Sequence, residues 1–173
     1  MNKLLKKELE STFSTVQVKI SEKDRLVIKT EKDGVLSILS FLKNKGYDHL
    51  ALISCVDWID EKKFELVYVL SAYMQKDNEY MEKEKTTIIL QTSIPREKPE
   101  FLTVIPIFKN AEPYERELHE LYGINFEGHP RLTPLLLERE YKIPPFRKDF
   151  DTRKYVEEVF NKIPFIEDKV EKK

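Results

Sequence analysis

The sequence predicts an α+β domain in which helices pack on one face of a mainly antiparallel sheet, followed by an extended Pro-rich C-terminal tail. The prediction rests on strand-like apolar runs, on three helical patterns and on the position of the prolines, all nine of which follow residue 94. Each proline lacks an N–H donor and restricts the residue before it, so long regular elements should precede this point. We expect the domain to span residues 1–137 and the tail to span residues 138–173.

The regular part of the chain begins with a helix, a strand hairpin and a second helix. Residues 2–13 are typical of a short helix, and residues 16–20 alternate apolar with polar side chains, as strands do. The apolar run 26–28 follows closely, so the two strands should form a hairpin. Residues 30–45 place apolar side chains on one helical face, and we expect Thr30 to cap this helix.

Three further strands complete the predicted sheet. Residues 50–56 and 64–73 are near-continuous apolar runs separated by a polar turn, and residues 86–92 form another strand pattern. Continuous apolar runs are typical of strands that are covered on both faces. We therefore expect central strands here, in a layered architecture with the helices on one side.

A single helix is predicted after residue 94, over residues 112–122, with Asn110 as its cap and Gly123 as its terminator. Its apolar side chains share one face that should pack on the core: Tyr114, Leu118, Leu121 and Tyr122. The other face is polar: Glu112, Glu115, Arg116, His119 and Glu120. Charge pairs at i,i+4 contribute only about 0.2–0.5 kcal/mol each, so a solvated surface is one interpretation of this face. A functional surface is the other.

The composition argues against several classes of function. Thirty basic and 31 acidic side chains give a net charge of −1, so no overall basic field exists to bind nucleic acid. No apolar run approaches the roughly 20 residues of a membrane span, and residues 1–10 lack the features of a signal peptide. We therefore expect a soluble protein in the cytoplasm.

The chain offers few ligands for a metal or a cofactor. Its one cysteine, Cys55, cannot supply the roughly four thiolates of an iron–sulfur cluster. Cys55 falls in an apolar strand and is expected to be a buried, inert thiol, although a Cys–His dyad stays formally open. The position four residues after His119 is Gly123, so the spacing of zinc-protease ligands fails. The four glycines form no phosphate-binding loop, and any redox cofactor should belong to another chain.

The turn that follows the predicted helix has features of a docking surface. Residues 126–130, Phe-Glu-Gly-His-Pro, place an aromatic ring, a charge and a titratable ring on a tight turn. Four leucines follow: Leu132, Leu135, Leu136 and Leu137. Exposed together they would promote aggregation, so we expect the sheet or another subunit to cover them. The tail is rich in aromatic residues, which favours burial on a partner, with packing on its own domain as the alternative.

Three blocks of the sequence resemble one family: ALISCVDWIDEKKFELVYVLSAY (51–73), EKPEFLTVIPIFKNAEPYERELHELYGINFEGHPRLTPLLL (97–137) and PPFRKDFD (144–151). The family is the 30 kDa subunit of respiratory NADH:quinone oxidoreductase (complex I), with its counterparts in membrane-bound energy-converting NiFe hydrogenases. The second block carries the most specific signature, which is a Pro-rich lead-in, a Glu-Arg-Glu helix, an aromatic-Gly-Ile turn and Gly-His-Pro.

The resemblance implies a cofactor-free, non-catalytic subunit of the peripheral arm, on the inner face of the cell membrane. Such a subunit docks on a large 49 kDa-type subunit and supports iron–sulfur clusters, and in hydrogenases a NiFe centre, that partner subunits carry. Glu115, Arg116 and Glu117 are then structural and interface groups, His129 orients the turn, and residues 147–149 anchor the tail to the partner. The other expected interface or structural residues are Phe126, Gly128, Pro130, Phe146, Arg147, Lys148, Asp149 and Phe150.

The chain departs from the family pattern after Gly-His-Pro, where Arg131-Leu132-Thr133-Pro134 replaces the usual Leu-Arg-Arg. This departure leaves the partner open. The charge-rich composition favours a ferredoxin-linked NiFe hydrogenase-type complex, in which electron transfer and hydrogen evolution drive ion pumping. A quinone- or sulfur-reducing relative of complex I is the alternative. A stand-alone soluble enzyme that uses Glu115, His119 and His129, or a free adaptor with several partners, would be a different class of protein.

Overall fold

The computed structural model describes residues 2–22, 24–72, 86–137 and 141–160. The helices are α1 (Asn2–Thr12), α2 (Val35–Asn44), α3 (Ala111–Tyr122) and α4 (Thr152–Phe160). The strands are β1 (Gln17–Glu22), β2 (Arg25–Lys29), β3 (His49–Trp58), β4 (Lys63–Ser71), β5 (Thr87–Pro95), β6 (Glu100–Leu102) and β7 (Asn125–Glu127). Parts of the expected tail, residues 138–140 and 161–173, lie outside the described residues.

Strands β1 to β5 form one sheet in the order β1-β2-β5-β4-β3. The predicted β1–β2 hairpin is confirmed, and among the four pairings only β2 with β5 is parallel. Side chains alternate along β4, so that Phe64, Leu66, Tyr68 and Leu70 are buried while the residues between them are partly exposed. The buried residues of the five strands form one core with those of α1, α2 and α3, which confirms helices on one face of a mainly antiparallel sheet.

The sequence predicted β3 as a central strand covered on both faces, and this prediction is wrong. Strand β3 is an edge of the sheet, and Leu52, Val56 and Trp58 are exposed on the face away from the helices. A continuous apolar run therefore did not indicate a central strand here. The polar groups at the start of this edge are instead bound by α3 and the residue before it, since Asn110 Nδ2 and Tyr114 Oη donate to the carbonyls of Leu50 and Ala51.

The predicted caps are partly wrong. A 3-10 turn, Lys32–Gly34, precedes α2, and no side-chain hydrogen bond caps either element, so Thr30 is not an N-cap. Asn110 precedes α3 as expected, but its side chain binds β3 and does not cap the helix. Gly123 ends α3 in the left-handed conformation, with φ of 74°, which confirms it as the terminator.

The chain after residue 94 has more structure than its prolines indicate. Strands β6 and β7 pair in parallel as a separate small sheet. The expectation of a single helix in this part is also wrong, because α4 follows the last described proline-rich segment. Asp151 Oδ1 accepts hydrogen bonds from the N–H groups of Arg153 and Lys154, which is N-cap geometry. Over the described ranges, every helix is too short or too polar to cross a bilayer.

Candidate docking site around helix α3

Helix α3 is amphipathic as predicted, with Leu118 and Leu121 buried in the domain and Tyr114 and Tyr122 half-buried. The Tyr122 ring packs edge-on against Phe64 of β4, at 5.8 Å between ring centroids. This apolar face holds the helix rigidly on the sheet. The polar side chains of α3 are therefore presented from a fixed scaffold.

Glu115 lies inside the protein, although the sequence placed it on the polar face. It has no solvent exposure, and its carboxylate accepts hydrogen bonds from Thr103 Oγ1 at 2.6 Å and from the Val104 N–H at 2.7 Å. Burial raises the pKa of Glu115 to about 7, although the two hydrogen bonds act in the opposite direction. Glu115 is therefore a structural group that fixes the segment before α3, and it is not available to a partner.

The burial of Glu115 had a signal in the sequence. It lies four residues after Ala111 and three before Leu118, both of which are buried. Positions i, i+4 and i+7 share one face of a helix, so Glu115 sits in the middle of a buried strip. The four apolar residues that defined the predicted core face did not include Ala111, and the strip was missed.

Arg116 and Glu120 hold the loop of residues 133–137. Arg116 donates from Nε to the Thr133 carbonyl at 3.0 Å and from Nη2 to the Pro134 carbonyl at 2.8 Å. Glu120 accepts hydrogen bonds from three consecutive N–H groups, those of Leu135, Leu136 and Leu137, at 3.0, 2.8 and 2.6 Å. Two side chains of α3 thus bind five successive backbone groups of the loop.

The charge of Glu120 is used by this loop. Partial burial alone would raise the pKa of Glu120, but the three backbone hydrogen bonds outweigh it and hold the pKa below its ordinary value. Arg116 also pairs with Glu112 at 3.3 Å, one of the predicted i,i+4 pairs. The sequence predicted Glu120 only as an i,i+4 charge partner of Arg116, because the backbone groups that it binds lie 15 to 17 residues away in an irregular segment.

Both histidines near α3 bind backbone groups. His119 Nδ1 lies 2.9 Å from the Ile124 carbonyl and donates to it, because a carbonyl only accepts. His129 accepts the Arg131 N–H at Nδ1, so its Nε2 carries the proton that faces the Glu112 carbonyl at 3.3 Å. His129 thus contacts both α3 and the residue after Pro130, and its expected role in orienting the turn stays a prediction. The two rings bind different backbone carbonyls, and the Glu115 carboxylate binds the segment at 103–104.

The other residues of the turn have different exposures. Phe126 is buried in the domain core, so it is structural. Gly128 has φ of 83°, and a Cβ at this position would lie 3.3 Å from the Thr103 methyl group, so the turn requires glycine. Pro130 is exposed, and Glu117 is half-buried on α3. The expected interface roles of Glu117 and Pro130 stay predictions.

The tail is attached to its own domain by a cluster of charges that we call the tail clasp. Arg96 binds Asp57 with Nε and Nη2 at 2.8 and 3.1 Å, and it binds Asp149 of the tail at 2.5 Å. The Lys148 N–H donates to the same Asp57 carboxylate at 2.9 Å. Burial would raise the pKa of Asp57, but its hydrogen bonds to Arg96 and to the Lys148 N–H keep the pKa low. Asp149 likewise has a lowered pKa, chiefly because of its hydrogen bond to Arg96.

The carboxyl end of α3 forms a second attachment for the tail. The Phe146 N–H donates to the Leu121 carbonyl at 3.0 Å, and Arg147 Nε donates to the Tyr122 carbonyl at 2.7 Å. Arginine at this end of a helix also complements the helix dipole. Residues 147–149 thus contact their own domain, whereas the sequence placed them against a partner. Their expected role in anchoring the tail to that partner stays a prediction.

The aromatic rings of the tail also contact the chain itself. Tyr141, Phe150 and Tyr155 pack together with ring centroids 4.9 to 5.9 Å apart. The Phe146 ring lies edge-on to Tyr122 at 5.9 Å but keeps 57% of its surface exposed. Packing on its own domain, the weaker alternative in the sequence interpretation, thus accounts for part of the tail. Phe165 lies outside the described residues.

The leucines after the turn are only partly covered by this chain. Leu132 is half-buried against the core, whereas Leu135 and Leu136 are 39% and 63% exposed.

Cys55 is buried as predicted. Its burial, and to a smaller extent the charge of the neighbouring Asp57, raise the pKa of its thiol to about 12. Within the described ranges, no group of three or more metal-ligating side chains converges.

The protein is an α+β domain in which charged side chains of α3 and of the sheet hold irregular segments of the same chain in place. Residues 28–156 match the family model of the respiratory-chain NADH dehydrogenase 30 Kd subunit. The chain therefore belongs to this family, and the resemblance seen in the sequence is confirmed.

Two relatives show how far the similarity extends. The chain is 33% identical over 129 residues to a subunit of the F(420)H(2) dehydrogenase of Methanosarcina mazei, which covers 73% of this chain and 76% of the relative. It is 29% identical over 166 residues to a subunit of the NADH-quinone oxidoreductase of Rickettsia prowazekii, which covers 94% of this chain and 79% of the relative.

Two solved structures share the fold. One is a chain in the structure of the membrane-bound sulfane sulfur reductase, an archaeal respiratory membrane complex, with a TM-score of 0.80 and 29% identity over 98% of this chain and 97% of that one. The other is the trypsin-resistant fragment of Nqo5, with a TM-score of 0.63 and 22% identity over 76% of this chain and all of the fragment.

Proposed function

We propose that this protein is a non-catalytic subunit of the peripheral arm of a complex I-like, membrane-associated, ion-translocating oxidoreductase. The observation that carries the proposal is the family match over residues 28–156. The site supports it, because the charged and titratable residues around α3 bind backbone groups and leave apolar side chains exposed beside them. On this proposal the chain docks on a large 49 kDa-type subunit at the inner face of the cell membrane.

The proposed redox centres belong to other subunits of the complex. Cys55 is the one cysteine of this sequence, and it is buried with a pKa raised to about 12, which disfavours the thiolate that binds metals. Iron–sulfur clusters, and a NiFe centre if the complex is a hydrogenase, would therefore be held by partner chains. This chain would set the position of the large subunit.

The type of complex has two candidates besides the quinone-reducing one. The sequence favours a ferredoxin-linked NiFe hydrogenase type, and this stays a prediction. The sulfur-reducing alternative is supported by the similarity to a chain of the sulfane sulfur reductase, which extends over 98% of this protein. A quinone-reducing type is supported by the relative from the NADH-quinone oxidoreductase of Rickettsia prowazekii.

Purification from the native membrane tests the proposal. A tag on the chromosomal copy should recover a detergent-solubilised complex that contains a large subunit, iron–sulfur proteins and membrane subunits, identified by mass spectrometry. Assays of that complex for hydrogen evolution, sulfane sulfur reduction and quinone reduction separate the three types. Recovery of the tagged chain alone from the soluble fraction would contradict the proposal.

The stand-alone enzyme is tested in the same strain. Variants His119→Ala and His129→Ala should leave the redox activity of the assembled complex unchanged, since both rings bind backbone carbonyls. If the purified single chain turned over a substrate and these variants abolished that turnover, the enzyme hypothesis would replace the subunit hypothesis.

A further inference from the structure

We propose that the loop 133–137 and the tail residues 143–146 form one preformed docking patch for a neighbouring subunit, and that Arg116 and Glu120 position it. This inference rests on the proposed function and names the surface that carries it. The patch consists of four exposed apolar side chains: Leu135, Leu136, Ile143 and Phe146. Their exposed fractions are 39%, 63%, 41% and 57%.

The patch is assembled on one turn of helix α3. Glu120 binds the N–H groups of the loop 135–137, and the next two residues of the helix offer their carbonyls to Phe146 and Arg147. Gly123 follows, and a Cβ there would lie 3.0 Å from Pro144 Cγ, so the tail runs against the end of the helix. Loop and tail therefore meet around residues 120–123. Single exposed leucines are ordinary, but clustered ones mark an interaction site.

The loop is held so that its leucines stay exposed. Five consecutive residues, 133–137, each have a backbone group bound by Arg116 or Glu120. These bonds fix the loop backbone while the side chains of Leu135 and Leu136 point into solvent. Fixing a binding loop before association lowers the entropy lost on binding, and so raises affinity without a new contact. A loop with only a structural role would gain more by burying its leucines.

The charges around the patch indicate the chemistry of the partner. Among the described residues of 131–148, the charged side chains are basic: Arg131, Lys142, Arg147 and Lys148. Asp149, the next residue of the tail, is paired with Arg96. Glu120 keeps its negative charge, which lies beside the positive charge of Arg116. We therefore assign the patch to an apolar surface of a neighbouring subunit that is bordered by carboxylates.

Two matched substitutions test the patch in the full complex. Leu136→Asp changes the patch, and Leu4→Asp is the control, because both leucines are 63% exposed and Leu4 lies on α1, outside the family match. With a tag on this chain, Leu136→Asp should reduce the recovered large subunit by about tenfold or more, as expected for a central interface residue, while Leu4→Asp recovers it fully. Circular dichroism of the isolated variants checks that both fold.

Glu120→Ala tests the positioning role separately. It removes the three backbone contacts but leaves every exposed leucine in place. We expect partner affinity to fall by about tenfold at a temperature well below the midpoint of unfolding, where stability is not limiting. Leu136→Asp together with Glu120→Ala should then lose little more than Leu136→Asp alone. Unchanged affinity of Glu120→Ala would overturn the positioning role.

Salt and charge reversal test the chemistry of the partner surface. Arg131→Glu with Lys142→Glu should weaken association and reduce its dependence on salt, since the carboxylates across the interface would be repelled. If the wild-type chain recovers no large subunit, the proposed function fails. If the wild type and Leu136→Asp recover it equally, the patch is wrong while the proposed function stands. Association that neither salt nor the charge reversal changes would overturn the acidic border.

Discussion

The buried carboxyl of Glu115 should contribute stability that is lost as the pH rises from 4.5 to about 7. Burial raises the pKa of Glu115 from its usual 4.5 to about 7, so the folded protein binds this proton more tightly than the unfolded chain. The stabilisation that the proton provides is complete below pH 4.5 and is lost as the pH rises to about 7. The interval from 4.5 to about 7, at 1.36 kcal/mol for each pH unit, corresponds to about 3 kcal/mol of unfolding free energy.

Glu115→Gln should abolish this contribution, because glutamine imitates the protonated acid. Its carbonyl oxygen can accept the Val104 N–H, and its amide can donate to Thr103 Oγ1, which now donates to the carboxylate. No charge is then left to desolvate. We expect the variant to match the wild type near pH 4.5 and to be more stable by about 3 kcal/mol at pH 8.

Urea unfolding followed by circular dichroism, at several pH values between 4.5 and 8, measures both curves. Other titrating groups cancel in the difference between the variant and the wild type. Glu117→Gln, on the half-buried neighbour in the same helix, controls for the change in net charge. Parallel curves for Glu115→Gln and the wild type would refute the reasoning, because they would show that Glu115 has the same pKa in the folded and unfolded states.

Three further outcomes follow from the tail clasp, the end of α3 and the core. Arg96→Ala leaves the buried Asp57 without its guanidinium partner, so we expect a loss of roughly 3 kcal/mol in urea unfolding and faster proteolysis of the tail. Gly123→Ala should lower the stability more than Gly46→Ala, because both positions have positive φ but only Gly123 is crowded by the tail. Thermal unfolding compares the two variants, and equal losses of stability would argue against the contact with the tail. Cys55 should react with thiol reagents at pH 8 only when urea unfolds the protein, because burial raises its pKa to about 12.

The features that could be predicted from the sequence are those that depend on local periodicity. Alternation along residues 16–20 located β1, and the spacing of Leu118 and Leu121 located the core face of α3. Thr30 failed as a cap because a 3-10 turn comes before α2, a choice that local propensity does not decide. Helix α4 was missed because neighbouring prolines outweighed its own amphipathic pattern.

The contacts that build the site are of another kind. Arg96 is 39 residues from Asp57 and 53 from Asp149, so no spacing rule could join them. The contacts of Glu120 also depend on where an irregular loop folds back on α3. A pattern of charges on a helix predicts that the charges exist on one face, but it does not identify the distant backbone groups that they bind. The exceptions are the i,i+4 pair of Arg116 with Glu112 and the burial of Glu115, which had a local signal in the strip shared with Ala111 and Leu118.

Helix α3 explains why so irregular a part of the chain can be held in place. Prolines after residue 94 interrupt regular hydrogen bonding, and the backbone groups of the irregular segments need other partners. Glu115 binds one backbone N–H of the segment at 103–104. Arg116 and Glu120 bind five backbone groups of residues 133–137. The last carbonyls of the helix accept hydrogen bonds from Phe146 and Arg147. The apolar face of the same helix is fixed in the core. One rigid helix thus sets the relative positions of three irregular segments, which is what a preformed docking surface requires.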